Sequence, residues 1–200
     1  VDAAFFNDDS FTVNRPWLKE FCKTLKEEGL DIKWACQARA NAVNEELLRM
    51  MKSAGCIQVD IGVESGSQRV LNVLKKDEKV EDMKKAFRAA RNVGLQAFAS
   101  FIVGSPDERW EDIRETEKLL DEIKPDFTEF FFSTPYPGTE LEKITRERNL
   151  IDSSIDYSEY YVSKQSDKPI MGTGYLSPEE LIKIRSRLHN KIVMRNYVTI

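Results

Sequence analysis

The chain has 200 residues, 41% of them hydrophobic and 32% charged, with a formal net charge of -4 and a pI near 5.3. That composition suits one globular domain with a sizeable core, and its acidic balance argues against a non-specific nucleic-acid or membrane-surface binder, because both need a cationic face. No apolar run approaches the length that spans a bilayer and no signal-peptide pattern is present, so a cytoplasmic protein acting on small molecules is expected.

The first apolar stretch, DAAFF, closes at the polar cluster from Asn7 to Ser10 as a strand would. The sequence begins inside that stretch with Val1, the pattern expected of an excised fragment. A helix follows, with Pro16 near its first turn, Trp17, Phe21 and Leu25 at helical spacing, and Gly29 as its stop. IKWACQAR is a second strand. Asn44 then caps a helix carrying Leu47, Leu48, Met51 and Ala54, which Gly55 ends before the strand IQVDIGVE. Ser65 and Ser67 supply capping oxygens for a short helix bearing Val70, Leu71 and Leu74, and LKKDEK reads as solvated surface before a helix with Val80, Met83, Phe87 and Ala90.

Gly94 closes that helix, LQAFASFIVG is a fourth strand, and the helix from Arg109 to Ile123 ends before Pro125. FTEFFFS makes a fifth strand. TPYPGTEL is a turn-rich exit with Tyr136 exposed between two prolines, and its plainer reading is a rigid helix entry capped by Thr139. Past Leu150 the rhythm gives way to an irregular segment with aromatic anchors, and a last helix starts at Ser177 with Pro178 in its first position and Glu180 completing a capping box. Residues 1–150 therefore read as five βα units and 151–200 as an irregular segment plus a C-terminal helix.

Strands that alternate with helices imply one parallel sheet, in a doubly wound fold or in part of a (β/α) barrel. In either, ligands gather at the carboxyl ends of the strands. Those ends read Asp8 and Asp9, Arg39, Glu64 with Ser65, Gly104 with Ser105, and Thr134 to Tyr136. Asp8 and Asp9 suit an ammonium group, or a simple turn before the helix. Arg39 could grip a carboxylate bidentately, or pair with a neighbouring strand's acid. Glu64 offers lone pairs to two ribose hydroxyls beside Gly66, or caps the next helix; the capping oxygens of Ser65 and Ser67 favour the ligand role. Gly104 would let a flat ring lie against the backbone near Ile102, or make a tight turn before Pro106.

Cys22, Cys36 and Cys56 are too few and too scattered for a disulfide framework or a local metal knuckle and read as free thiols. His189, the only histidine, lies on the last helix and leaves no histidine-based triad or metal site. GVESGS lacks the lysine of a phosphate loop.

In order along the chain, DDSF, WACQAR, LLRMMKSAGC running into IQVDIGVESGSQRVLNVLKK, SFIVGSPDE and PYPGTEL resemble the radical S-adenosylmethionine superfamily over essentially the whole sequence. The likeness is greatest to the cobalamin-linked branch that includes the anaerobic magnesium-protoporphyrin ester cyclase type. It implies a partial (β/α) TIM-type barrel truncated before its second strand, S-adenosylmethionine held against a four-iron four-sulfur cluster, and cobalamin on a separate domain. By that resemblance Asp8 or Asp9 meets the methionine amino group, Arg39 its carboxylate, Glu64 with Ser65 the ribose, and Ile102 with Gly104 the adenine; Tyr136 faces substrate. Tyr157 to the end is similar to the tail of such barrels.

Two departures stand out. The CxxxCxxC cluster loop is absent from these residues, so the cluster ligands are expected outside this chain and the fragment alone is expected to be inactive. Asp107, Glu108 and Arg109 stand where relatives carry Gly, Glu and Thr. The implied function is an iron–sulfur oxidoreductase or methyltransferase that cleaves S-adenosylmethionine to a 5′-deoxyadenosyl radical. The alternatives are a cluster-free α/β binding or regulatory module, and a metal-independent enzyme using Asp9 and Glu64 as an acid/base pair. An open barrel edge further predicts a dimer through strand pairing.

Overall fold

The structure, a computed structural model, describes residues 3–8, 11–151 and 168–198. Five parallel strands, β1 (Ala3–Phe6), β2 (Lys33–Ala38), β3 (Cys56–Glu64), β4 (Gln96–Val103) and β5 (Phe127–Phe132), form one sheet in the order β1-β2-β3-β4-β5. Between and after them run α1 (Arg15–Glu27), α2 (Glu45–Ser53), α3 (Gln68–Val73), α4 (Val80–Val93), α5 (Trp110–Ile123), α6 (Glu140–Glu147) and α7 (Pro178–Val198), with a 3-10 turn at Ala40–Ala42. Strand order follows chain order without reversal. A doubly wound sheet reverses at its switch point, so of the two architectures open to the sequence the unbroken order selects the barrel type.

The helix boundaries follow from local chemistry. Asn44 Oδ1 accepts the Leu47 amide at 2.9 Å, Thr139 Oγ1 accepts the Glu142 amide at 3.2 Å, and Ser177 and Glu180 exchange a reciprocal pair of bonds at 2.8 and 3.3 Å. Gly94 adopts φ +72 after α4, and Lys52 Nζ donates to the carbonyls of Val93 and Gly94 at 2.7 and 3.0 Å, covering acceptors that the helix end leaves open.

The chain forms two compact units that interleave in sequence. Val1–Val63, Glu78–Ser100 and Leu119–Thr128 make the first; Glu64–Asp77, Phe101–Lys118 and Glu129–Ile200 make the second. The division expected at residue 150 falls inside the second unit. In the first, Phe6, Phe11, Phe21 and Trp34 pack ring against ring at 4.8 to 5.8 Å, and buried Trp34 donates its indole N–H to the Ala54 carbonyl at 2.7 Å. In the second, Phe101 stacks on Phe130 at 5.2 Å, and α7 buries Leu181, Ile184 and Leu188 at helical spacing. Ile151 bridges antiparallel to Met171, and the irregular segment expected between them, at residues 152–167, lies outside the described residues.

Candidate functional site

In β3 the side chains of Val59, Ile61 and Val63 are buried, whereas Asp60, Gly62 and Glu64 alternate onto a less covered face. Glu64 ends the strand at φ +61, a left-handed backbone that costs a side-chain-bearing residue of order 1 kcal/mol. Its Oε1 accepts from Lys76 Nζ at 2.8 Å, and the two side chains are only 18% and 21% exposed. LKKDEK is therefore not solvated throughout: Lys76 turns inward, and Glu78 is 4% exposed.

The serines after Glu64 do not serve α3 as the sequence suggested. Ser65 Oγ accepts the Ser67 amide at 3.1 Å and meets Thr116 Oγ1 at 3.2 Å, while Ser67 Oγ donates to Asp112 Oδ1 at 2.7 Å. The Ser67 oxygen makes no capping bond to α3, because Asp112 on α5 competes for it. Gly66 also has a protein partner: its amide donates to Thr116 Oγ1 at 2.9 Å, and a Cβ there would come within 2.4 Å of the Glu115 carbonyl. The close approach that glycine permits here is to α5.

Asp112 and Arg69 join the turns after β3 and β4. The Arg69 guanidinium binds both oxygens of Asp112 and donates to the Asp107 carbonyl at 2.7 Å, and the Arg109 amide adds a bond to Asp112 at 2.8 Å. Burial alone would push the Asp112 carboxyl up, but the bonds from Arg69, Ser67 and Arg109 hold it below the ordinary carboxylate range. Asp112 and Thr116 escaped the sequence reading. Their spacing of four on a helix otherwise read through its apolar residues was the available signal.

At the end of β4, Gly104 adopts φ +92 and donates its amide to Glu108 Oε2 at 2.6 Å. Glu108 is 1% exposed, and burial pushes its carboxyl up to about 7 against the backbone bonds from Gly104 and Ser105. The space that the missing side chain leaves at Gly104 is filled by the protein itself, since a Cβ there would meet Leu181 of α7 at 2.9 Å. Ile102 lies on the less covered face of β4, between buried Phe101 and Val103.

Tyr136, in the same unit, is 47% exposed on a turn closed by Thr139 Oγ1 bonding its carbonyl at 2.6 Å. Arg39 and Asp8 belong to the first unit. Arg39 directly follows β2, half exposed, with Nη2 3.9 Å from Glu78 Oε2 in the segment after α3. Asp8 is exposed, its carbonyl accepting the Phe11 amide at 3.3 Å; Asp9 lies outside the described residues.

The chain's cysteines do not suit a metal cluster. Cys22, Cys36 and Cys56 are all buried, in or beside the core, and among the described residues no group of three metal-binding side chains converges. Burial and the nearby Cys56 push the Cys22 thiol up to about 11, and a hydrogen bond with Cys56 together with burial pushes Cys36 up as well. A metal-ligating sulfur is a thiolate, which these surroundings disfavour. No helix among the described residues is long and apolar enough to cross a membrane.

The model of the Radical SAM superfamily matches residues 3–120. An uncharacterized methyltransferase of Pyrococcus horikoshii is 32% identical over 195 residues, covering 98% of this chain and 41% of that protein. The anaerobic magnesium-protoporphyrin IX monomethyl ester cyclase of Cereibacter sphaeroides is 32% identical over 180 residues, 88% of this chain and 28% of its own length. The chain thus spans less than half of these relatives. Among solved structures, coproporphyrinogen III oxidase from Escherichia coli, a radical SAM enzyme, superposes with a TM-score of 0.63 at 16% identity over 90% of this chain and 37% of that one. The radical S-adenosylmethionine methyltransferase TsrM from Kitasatospora setae, solved with cobalamin and a 4Fe-4S cluster, gives 0.59 at 17% over 66% and 28%. At these identities the likeness establishes the fold, a partial (β/α) barrel.

Proposed function

The chain belongs to the Radical SAM superfamily, and on that premise we propose that the intact protein is an iron–sulfur enzyme that cleaves S-adenosylmethionine to a 5′-deoxyadenosyl radical and abstracts hydrogen from a small-molecule substrate. Methyl transfer and cyclisation are the two outcomes that these relatives' names support. The single observation that carries the reading is Glu64: a carboxylate closing a parallel strand on a strained, left-handed backbone, where ligand sites of such folds form.

This chain's own part is to bind and orient. The Glu64 carboxylate has lone pairs for two ribose hydroxyls, with Ser65 buried behind it as a support. Arg39, half exposed after β2, matches a methionine carboxylate in charge and fork geometry, and Asp8 with Asp9 matches the amino group. Ile102, on the less covered face of β4, would flank the adenine, and Tyr136 would meet substrate; Leu181 fills the space expected at Gly104. The cysteines present do not fit the cluster, whose ligands we assign to residues outside this chain. Cobalamin on a further domain is supported by TsrM, which holds it, and a cytoplasmic location by the lack of a spanning helix among the described residues.

The test is made on the intact native chain, reconstituted anaerobically with iron and sulfide. Formation of 5′-deoxyadenosine from S-adenosylmethionine after reduction is the expected result. Its absence, with iron at background, would leave the cluster-free binding module as the better account.

A further inference from the structure

Resting on the reading of Glu64 as the ribose carboxylate, we propose that Lys76 is a positioning residue for it: the Lys76 ammonium fixes the direction of the Glu64 carboxylate before an S-adenosyl nucleoside binds. Lys76 Nζ lies 2.8 Å from Glu64 Oε1. In this pair neither side chain is as much as a quarter exposed, at 21% for Lys76 and 18% for Glu64. Its neighbour Lys75 shows the contrast, pairing with Glu140 with side chains 71% and 63% exposed.

The backbone is strained at both ends of this pair. Glu64 sits at φ +61, and Lys76 is flanked by Lys75 at φ +52 and Asp77 at φ +55. Three residues with side chains thus adopt the left-handed region within one segment of 14 residues, 64–77, each at a cost. The geometry has a simple origin. Helix α3 is only six residues long and ends at Val73, with Leu74 as its C-cap, and the amides of Lys75 and Lys76 bond back to Asn72 and Leu71 at 3.2 and 3.0 Å. The tight exit turns Lys76 back toward the residue from which the segment left the sheet.

Fold stability is a poor explanation for this arrangement. Desolvating both charges cancels much of their attraction, and a well-packed apolar pair would serve as well. An ammonium has three donors and no acceptor, so Lys76 cannot receive the hydrogen bonds that ribose hydroxyls donate; it can hold the carboxylate that does. One Glu64 oxygen is thereby engaged, while the carboxylate retains lone pairs for a diol. A carboxylate already oriented loses less rotamer freedom when ligand arrives.

S-adenosylhomocysteine, titrated calorimetrically into the reconstituted native chain, tests this without turnover. Lys76→Met is expected to weaken binding about tenfold, the scale of one charge-assisted hydrogen bond, and Lys76→Arg to recover most of it. In a Glu64→Gln background the same Lys76→Met change is expected to alter affinity by less than about twofold, because its effect passes through the carboxylate. Lys76→Gln, which keeps a donor on a slightly shorter side chain but no charge, is read in the same way should the methionine variant not fold. Undiminished binding by Lys76→Met alongside a weak Glu64→Gln overturns the positioning role and leaves the ribose reading standing, as does an equal loss in both backgrounds. Unchanged affinity in Glu64→Gln overturns the ribose reading itself.

Discussion

Gly66 donates its amide to Thr116 Oγ1 at 2.9 Å, and a Cβ on Gly66 would lie 2.5 Å from the Thr116 Cα. The turn after β3 therefore rests directly on α5, backbone against backbone, and no flexible side chain is there to yield. Gly66→Ala should cost about 1–3 kcal/mol or more through overpacking. Gly29→Ala is the comparison. Its Cβ meets nothing within 4 Å, so only its φ of +63 counts, worth roughly 1 kcal/mol. Thermal unfolding of the two variants should rank Gly66→Ala clearly lower.

Asp112 receives Ser67, Arg69 and the Arg109 amide at once, with its side chain 7% exposed. Asp112→Asn should cost about 2–4 kcal/mol at pH 7, since it removes the charge that these donors surround. The sign of the pH dependence is fixed by the direction of the shift. A carboxyl held below its ordinary 3.8 contributes stability above that value and loses it as pH falls through the lower folded value. The gap between wild type and Asp112→Asn, measured by denaturant unfolding, should narrow below pH 3.8.

Much of this was legible in the sequence because it is local. Asn44, Thr139 and Ser177 cap the helices they precede, and the alternation of strands with helices anticipated the parallel sheet, because caps and periodicity depend on neighbours a few residues away. What failed depended on distant partners. Ser67 looks like a cap until Asp112, 45 residues on, competes for its hydroxyl. Lys76 looks like surface in a lysine-rich string until a six-residue helix returns it to Glu64. Gly104 looks like room for a ring until Leu181 of the last helix fills it.

Glu108 should give the opposite pH profile to Asp112. Its folded value of about 7 stands above the ordinary 4.5, so as pH rises the unfolded chain releases this proton first. Stability is therefore lost between about pH 4.5 and 7. Glu108 Oε1 has no hydrogen-bond partner to offset its charge there. Glu108→Gln abolishes the titration, and its stability relative to wild type should improve from pH 5 to pH 8 by up to about 3 kcal/mol. Urea unfolding at the two pH values measures this, and a constant difference would sink the argument.

The three cysteines should behave as core residues and nothing more. Cys36 is fully buried and Cys22 and Cys56 are 1% and 2% exposed, and the thiols of Cys22 and Cys36 are pushed up, so neither thiolate nor access is available to an alkylating reagent. Iodoacetamide should label none of them in the native protein at pH 8 and all three in 6 M guanidinium. The same burial separates them from cluster chemistry. Cys22→Ala, Cys36→Ala and Cys56→Ala should each destabilise the fold, by about 1–2 kcal/mol for the small cavity left behind, while the iron bound per chain after anaerobic reconstitution stays at the wild-type value. A variant that folds but loses its iron would show that one of these sulfurs is a ligand after all, and that the cluster draws on this chain.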